Sequence, residues 1–216
     1  MIKTAIFDLD GTVLDTVSSI AHFCNEALKK CGISPNPVEN YKYYAGNGAK
    51  ILIHRALEGQ KSDTEENFNR VYPLYMESYN SNSAYKTEHF EGLPEVLKNM
   101  KEKGLVLGIV SNKPQSTVDE VVPKFFPDGF FKYVYGSQSG MPLKPNPAAV
   151  SDIMEKEDAK PSETLYVGDT GVDMQTGKNA GALTVGVLWG FRGKEELAEN
   201  GADAIIEKPE ELLRYI

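Results

Sequence analysis

Four short stretches carry the residues that could do chemistry. The first is Asp8-Leu9-Asp10-Gly11-Thr12, which directly follows the apolar run Ala5-Ile6-Phe7 near the start of the chain. Alternation along an extended chain puts Asp8 and Asp10 on one side, their side chains roughly 7 Å apart. Like charges that close need a cation, a shared proton or strong hydrogen bonds. Magnesium is the simplest remedy, being a hard cation that takes oxygen ligands and often only one or two carboxylates. The same residues are ordinary turn formers and could decorate an exposed turn. The second stretch is Ser111-Asn112-Lys113-Pro114, read either as a helix N-cap or as an anion site built from the Ser111 hydroxyl and helix-start amides. In the third, Lys144-Pro145-Asn146-Pro147, the prolines restrict the backbone and hold Lys144 in a fixed geometry. The fourth, Gly168-Asp169-Thr170-Gly171-Val172-Asp173, places two acids across a strand-to-helix turn, although Asp173 could also be a first-turn acid favoured by the helix dipole.

The elements that must position these residues follow from periodicity. Apolar residues at helical spacing predict a helix over 17–30, capped by Asp15 or Thr16 and ended by Gly32. Shorter helical pieces are expected over 38–44 and 48–57, then an amphipathic helix over 64–79 in which Pro73 marks a kink or break. No strand pattern occurs between about 16 and 85. After Phe90 the texture changes: helices over 94–103, after Pro114, over 147–156 and 173–180 alternate with strands at 105–110, 133–135, 164–167 and 183–188. A last strand and helix fall within 203–215. Near-continuous apolar strands alternating with helices argue a parallel sheet covered on both faces, whose ligands bind beyond the carboxyl ends of the strands. The expected architecture is α/β: a Rossmann-like core made of residues 1–15 and 86–216, with an all-α cap over 16–85.

Composition sets outer bounds. The chain has 216 residues, 41% hydrophobic and 25% charged, as ordinary globular proteins do. A formal net charge of -8 withholds the basic footprint a nucleic-acid binder needs. Cys24 and Cys31, about 10 Å apart along one helix, are too far apart for a disulfide and read as free thiols of a reducing cytoplasm. The amino terminus shows no leader, and the longest apolar stretch is far short of a bilayer span, so no membrane association is expected.

Taken together, Asp-x-Asp-Gly-Thr, Ser-Asn, Lys-Pro and Gly-Asp-x-x-x-Asp, in this order on successive strand ends, resemble the haloacid dehalogenase superfamily of phosphotransferases. The resemblance implies that Asp8 is a nucleophile forming an aspartyl-phosphate, and that Asp10 is first the acid for the leaving group and then the base for water. It further implies that Mg2+ is held by Asp8, the Asp10 backbone carbonyl and Asp169, with Asp173 in support. It implies as well that Ser111 and Lys144 hold the transferring oxygens and that Gly11, Thr12 and Asn112 line the substrate. The second aspartate separates phosphatases from dehalogenases of the superfamily. Gly46-Asn47-Gly48, shortly before the helical run 50–57, is similar to the cap turn of bacterial phosphoglycolate phosphatases, where glycines let backbone amides approach a small carboxylate. The expected partner is a small-molecule phosphate ester, and the chain is expected to act as a monomer or homodimer. The alternatives are another phosphatase of this core acting on pyrophosphate, a nucleotide or a sugar phosphate; a β-phosphoglucomutase-like enzyme, for which His22 lies in the first cap helix; and a non-catalytic phospho-receiver. No role is assigned to the loop 189–193.

Overall fold

A computed structural model describes residues 1–216. Strand β1 (Thr4–Phe7) is followed by a two-residue strand β2 (Leu14–Asp15) and then by helices α1 (Val17–Lys30), α2 (Tyr41–Tyr44), α3 (Ala49–Gly59) and α4 (Glu65–Asn82). The chain returns through β3 (Glu88–His89) into α5 (Leu93–Glu102), β4 (Val106–Pro114), α6 (Gln115–Phe125), β5 (Tyr133–Ser137) and α7 (Ala148–Lys156). It ends with β6 (Thr164–Gly168), α8 (Gly171–Ala180), β7 (Leu183–Val187), α9 (Lys194–Glu199) and β8 (Ala204–Ile206).

Six strands form one parallel sheet in the order β5-β4-β1-β6-β7-β8, so β1, with Asp8 at its end, lies near the centre. Alternation divides its residues between two apolar layers. Ala5, Phe7, Leu107, Ile109, Leu165 and Val167 face the layer completed by α5 and α6. Ile6, Val110 and Tyr166 face the layer completed by α7. The inserted helices bury a third cluster of their own, joined by Phe191 from beyond β7. Where the insertion leaves and re-enters, β2 and β3 pair antiparallel, Leu14 with His89 and Asp15 with Glu88. This ribbon, absent from the sequence reading, ties the two crossings together within the stretches expected to bound the insertion.

Several local expectations are corrected. Pro73 does not break α4, which runs through it. Val71, Tyr75 and Tyr79 bury the same helix face on both sides of the proline, and that packing offsets the roughly 3 kcal/mol an interior proline costs. Ser111 and Asn112 are not N-caps: β4 continues in extended form through Pro114, and α6 begins only at Gln115. Helix α9 was not anticipated, and the final turn over Pro209–Tyr215 is a 3-10 helix.

Candidate active site

The carboxyl ends of β1, β4 and β6 meet at Asp8. That residue is buried, and its backbone N–H donates to the Val167 carbonyl at 2.9 Å, which aligns the end of β1 with that of β6. The turn after it folds back at once, Leu14 N donating to Leu9 O at 3.0 Å and Gly11 N to Leu14 O at 2.8 Å. Gly11 is required there: its φ is 85°, and a Cβ would lie 2.4 Å from Asp169 Oδ2. The Thr12 hydroxyl donates to Asp169 Oδ1 at 2.8 Å, and the Phe191 N–H donates to Oδ2 at 2.7 Å. Gly11 and Thr12, expected to line the substrate, instead make room for Asp169 and hold it; neither borders the cavity beside Asp8 and Asp10.

Asp173 is the third residue of α8. It accepts from the Thr170 N–H at 3.0 Å and from the Thr170 hydroxyl at 2.6 Å, so it caps the helix as a first-turn acid can. It is nonetheless fully buried, and its other oxygen faces Lys144. Lys144 Nζ lies 2.7 Å from Asp8 Oδ1 and 2.7 Å from Asp173 Oδ1. Its backbone is clamped by Asn112, whose side chain accepts from Lys144 N at 2.9 Å and donates to Lys144 O at 3.2 Å. Asn112 thus serves the lysine rather than a helix end.

One oxygen from each of Asp8, Asp169 and Asp173 falls within 4.8 Å of the others. Three buried acids gather there around a single lysine that contacts two of them, Asp8 and Asp173. Burial, then Asp173, push the Asp8 carboxyl up to about 7, with Lys144 pulling the other way. Burial, Asp173 and Asp8 raise the pKa of Asp169 well above the usual carboxylate range. Burial opposes the charge on Lys144, but Asp173 and Asp8 outweigh it and raise its pKa well above the ordinary lysine value. A buried, all-oxygen, excess-acid cluster fits a hard divalent cation such as magnesium, whose charge removes the repulsion that raises both acids. The Asp10 side chain stands apart from this cluster, bound to Lys113 at 2.8 Å.

A cavity of about 470 Å3, counting its open mouth, lies over Asp8 and Asp10. Ser111, Asn112 and Lys113 wall it from the core, and Gly46, Gly48 and Tyr79 wall it from the insertion. Asn47, grouped with the glycines in the sequence reading, is half-buried and does not border it. His22 also lies elsewhere, its ring 5.0 Å from those of Phe23 and Tyr85 and its surroundings a separate surface cavity. The sequence reading left three contributors without roles. Lys113 and Tyr79 meet Asp10, and the loop 189–193 supplies the Phe191 amide to Asp169, the Trp189 indole to Thr12 O at 3.1 Å and Arg192 to Ala45 O at 3.1 Å. A lysine continuing an apolar strand was the one available signal, for Lys113; the loop carried none.

The profile of haloacid dehalogenase-like hydrolases matches residues 5–187. The phosphoglycolate phosphatase of Vibrio parahaemolyticus is 32% identical over 219 residues, covering 100% of this chain and 96% of that protein. Phosphoglycolate phosphatase 1 of Pseudomonas aeruginosa is 29% identical over 98% of this chain and 78% of its own length. Among solved structures, a proposed phosphoglycolate phosphatase from Lactobacillus delbrueckii subsp. bulgaricus superposes with a TM-score of 0.92 at 31% identity, covering 97% of this chain and 96% of that one. No helix is long and apolar enough to cross a membrane. The sheet order, the strand-end acids and these likenesses agree: the chain belongs to the haloacid dehalogenase-like hydrolases.

Proposed function

We propose that this hydrolase is a magnesium-dependent phosphatase that cleaves a small phosphate monoester through an aspartyl-phosphate on Asp8, with phosphoglycolate as the first substrate to test. The observation that carries the reading is the pairing of Asp8 with Lys144 at 2.7 Å beside two further buried acids. A phosphoric monoester hydrolase is also what the names of the relatives support.

In this mechanism Asp8 attacks phosphorus while Lys144 and the Ser111 hydroxyl hold the transferring oxygens. Asp10 protonates the departing alkoxide, then takes the proton of the water that releases phosphate from Asp8. Asp8, Asp169 and the Asp10 backbone carbonyl would hold the magnesium, with Asp173 behind them. What the bound ion supplies is charge neutralisation between an anionic nucleophile and an anionic phosphoryl group. Residues 16–85 act as the cap in this reading, bringing Gly46 and Gly48 over the cavity, and residues 1–15 and 86–216 act as the catalytic core. The free thiols Cys24 and Cys31 suit a cytoplasmic enzyme, and a monomer or homodimer is the assembly proposed for it.

A panel of phosphate esters tests the substrate: a clear preference for a nucleotide or sugar phosphate overturns phosphoglycolate and leaves the phosphatase. Asp8→Asn tests the covalent route, and continued hydrolysis by a folded Asp8→Asn protein overturns it. The mutase alternative finds no support in the placement of His22 away from the cavity.

A further inference from the structure

Lys113 stands outside every role given so far. Its backbone is gripped where β4 meets β5: a Cβ at Gly136 would come within 2.8 Å of the Lys113 carbonyl oxygen, so the two strands touch closely at that peptide. Its side chain runs inward and is only 3% exposed, a burial that lysine adopts only when its ammonium is paired. Three acceptor atoms meet its three donors. They are Asp10 Oδ1 at 2.8 Å, Asp10 Oδ2 at 2.9 Å and the Tyr79 hydroxyl at 2.6 Å. The ammonium also sits 4.6 Å from the centre of the Tyr79 ring. Tyr79 belongs to the inserted helix α4, where it is buried, stacked on Tyr75 at 5.2 Å and tilted against Phe23 of α1 at 5.6 Å.

Both oxygens of Asp10 therefore face a lysine that is itself fastened to the insertion. We propose that Lys113 is a positioning residue, which sets the orientation of the Asp10 carboxylate and makes that orientation depend on where α4 lies. The proposal rests on the reading of Asp10 as acid and base. In that reading the leaving oxygen takes the Asp10 proton as its bond to phosphorus breaks and the bond from Asp8 forms. Water then attacks phosphorus, its proton passing to Asp10 as the Asp8–phosphorus bond breaks and phosphate leaves. In both steps one Asp10 oxygen must face the cavity. Lys113 can keep the other, so the carboxylate turns about an anchored point rather than rotating freely. Anchoring matters because a misplacement of about 1 Å can cost about 100-fold in rate.

Lys113→Met and Tyr79→Phe, in the full chain with magnesium, test this with two esters. p-Nitrophenyl phosphate has a leaving group that needs little protonation, whereas a simple alkyl phosphate needs it fully. Lys113→Met should lower kcat on the alkyl ester by about 100-fold, the scale of lost general acid catalysis, with KM little changed. On p-nitrophenyl phosphate it should give an initial burst of nitrophenolate and then slow turnover, because the second step still needs Asp10. Tyr79→Phe, which keeps the ring, should show the same pattern more weakly, and it carries the comparison should Lys113→Met fail to fold. Adding Lys113→Met to Asp10→Asn should cost nothing more. Loss of the nitrophenolate burst along with turnover, or a further loss in the double variant, overturns the proposal in favour of plain packing. Full alkyl-ester turnover by Asp10→Asn would overturn the reading of Asp10 itself. An inactive Asp10→Asn beside unimpaired Lys113→Met and Tyr79→Phe would overturn only the proposal.

Discussion

Replacing Lys144 with methionine tests the electrostatics of the site in the metal-free protein. Lys144 is 3% exposed and is the one cation within 2.7 Å of Asp8 and Asp173. Methionine keeps most of its volume and removes its charge, leaving Asp8, Asp169 and Asp173 buried together without a counterion. Breaking a buried pair in this way costs about 3–5 kcal/mol. For a chain of this size each kcal/mol moves Tm by about 2–4 °C, so the expected drop is about 6–20 °C near neutral pH. The pH dependence has a defined sign. Asp8 is an acid whose folded pKa is raised from 3.8 to about 7, so the folded state keeps a proton that the unfolded chain loses, and stability falls as pH rises through that window. Removing Lys144 takes away the influence that lowers the Asp8 pKa, so the fall becomes steeper and reaches higher pH. Thermal melts of wild type and Lys144→Met, with EDTA present, should diverge most at about pH 8 and converge toward about pH 5.5. A deficit under about 1 kcal/mol, or one that does not change with pH, refutes the argument that Lys144 balances the acid cluster.

Further outcomes follow from the same geometry. Magnesium should raise the wild-type Tm, by about 2.7 kcal/mol of stabilisation at 100 times its Kd, more at about pH 8 than at about pH 5.5. Asp169→Asn should abolish most of that rise, and an undiminished rise would place the ion elsewhere. Gly11→Ala puts a Cβ 2.4 Å from Asp169 Oδ2 at a φ of 85°, so calorimetry should show weakened magnesium binding; unchanged binding would mean the turn yields freely. Burial pushes the Cys24 thiol up to about 12 while Cys31 is half-exposed. Under native conditions mass spectrometry should find an alkylating reagent on Cys31 and not on Cys24.

Which parts of the site could be read in advance depended on how local their causes are. Asp8, Asp10, Asp169 and Asp173 announce themselves because each sits within two residues of an apolar strand end or a Gly-containing turn, and the strand order then brings them together. Lys144 was legible through its flanking prolines. Thr12 was placed on the substrate, yet its hydroxyl is taken by Asp169, 157 residues away, a pairing no local pattern encodes. The same holds for Tyr79 on Lys113 and for Phe191 on Asp169. Pro73 misled because a breaker was weighed without the packing that holds α4 on both sides of it. The ribbon of β2 and β3 escaped because two residues cannot show a period.

Polar links join residues 16–85 to the rest of the chain in two places, beside the cavity and against α6. Beside the cavity Asn112 donates to Gly46 O at 3.1 Å, Arg192 to Ala45 O at 3.1 Å and Lys113 to the Tyr79 hydroxyl at 2.6 Å; against α6 the Ser83 hydroxyl donates to Glu120 and the Thr117 hydroxyl to Asn80 Oδ1. At about 1 kcal/mol net apiece, loss of one link beside the cavity should favour local opening there about fivefold. Arg192 can be removed without touching the acid cluster, since its partners are the Tyr43 and Ala45 carbonyls, the Tyr43 ring and Glu196. In Arg192→Ala, backbone amides over 45–49 should exchange with deuterium about 5–10 times faster, as loss of about 1 kcal/mol requires, while amides of β1 and β6 keep their protection. Faster exchange spread evenly through the sheet would show instead that Arg192 supports the whole fold.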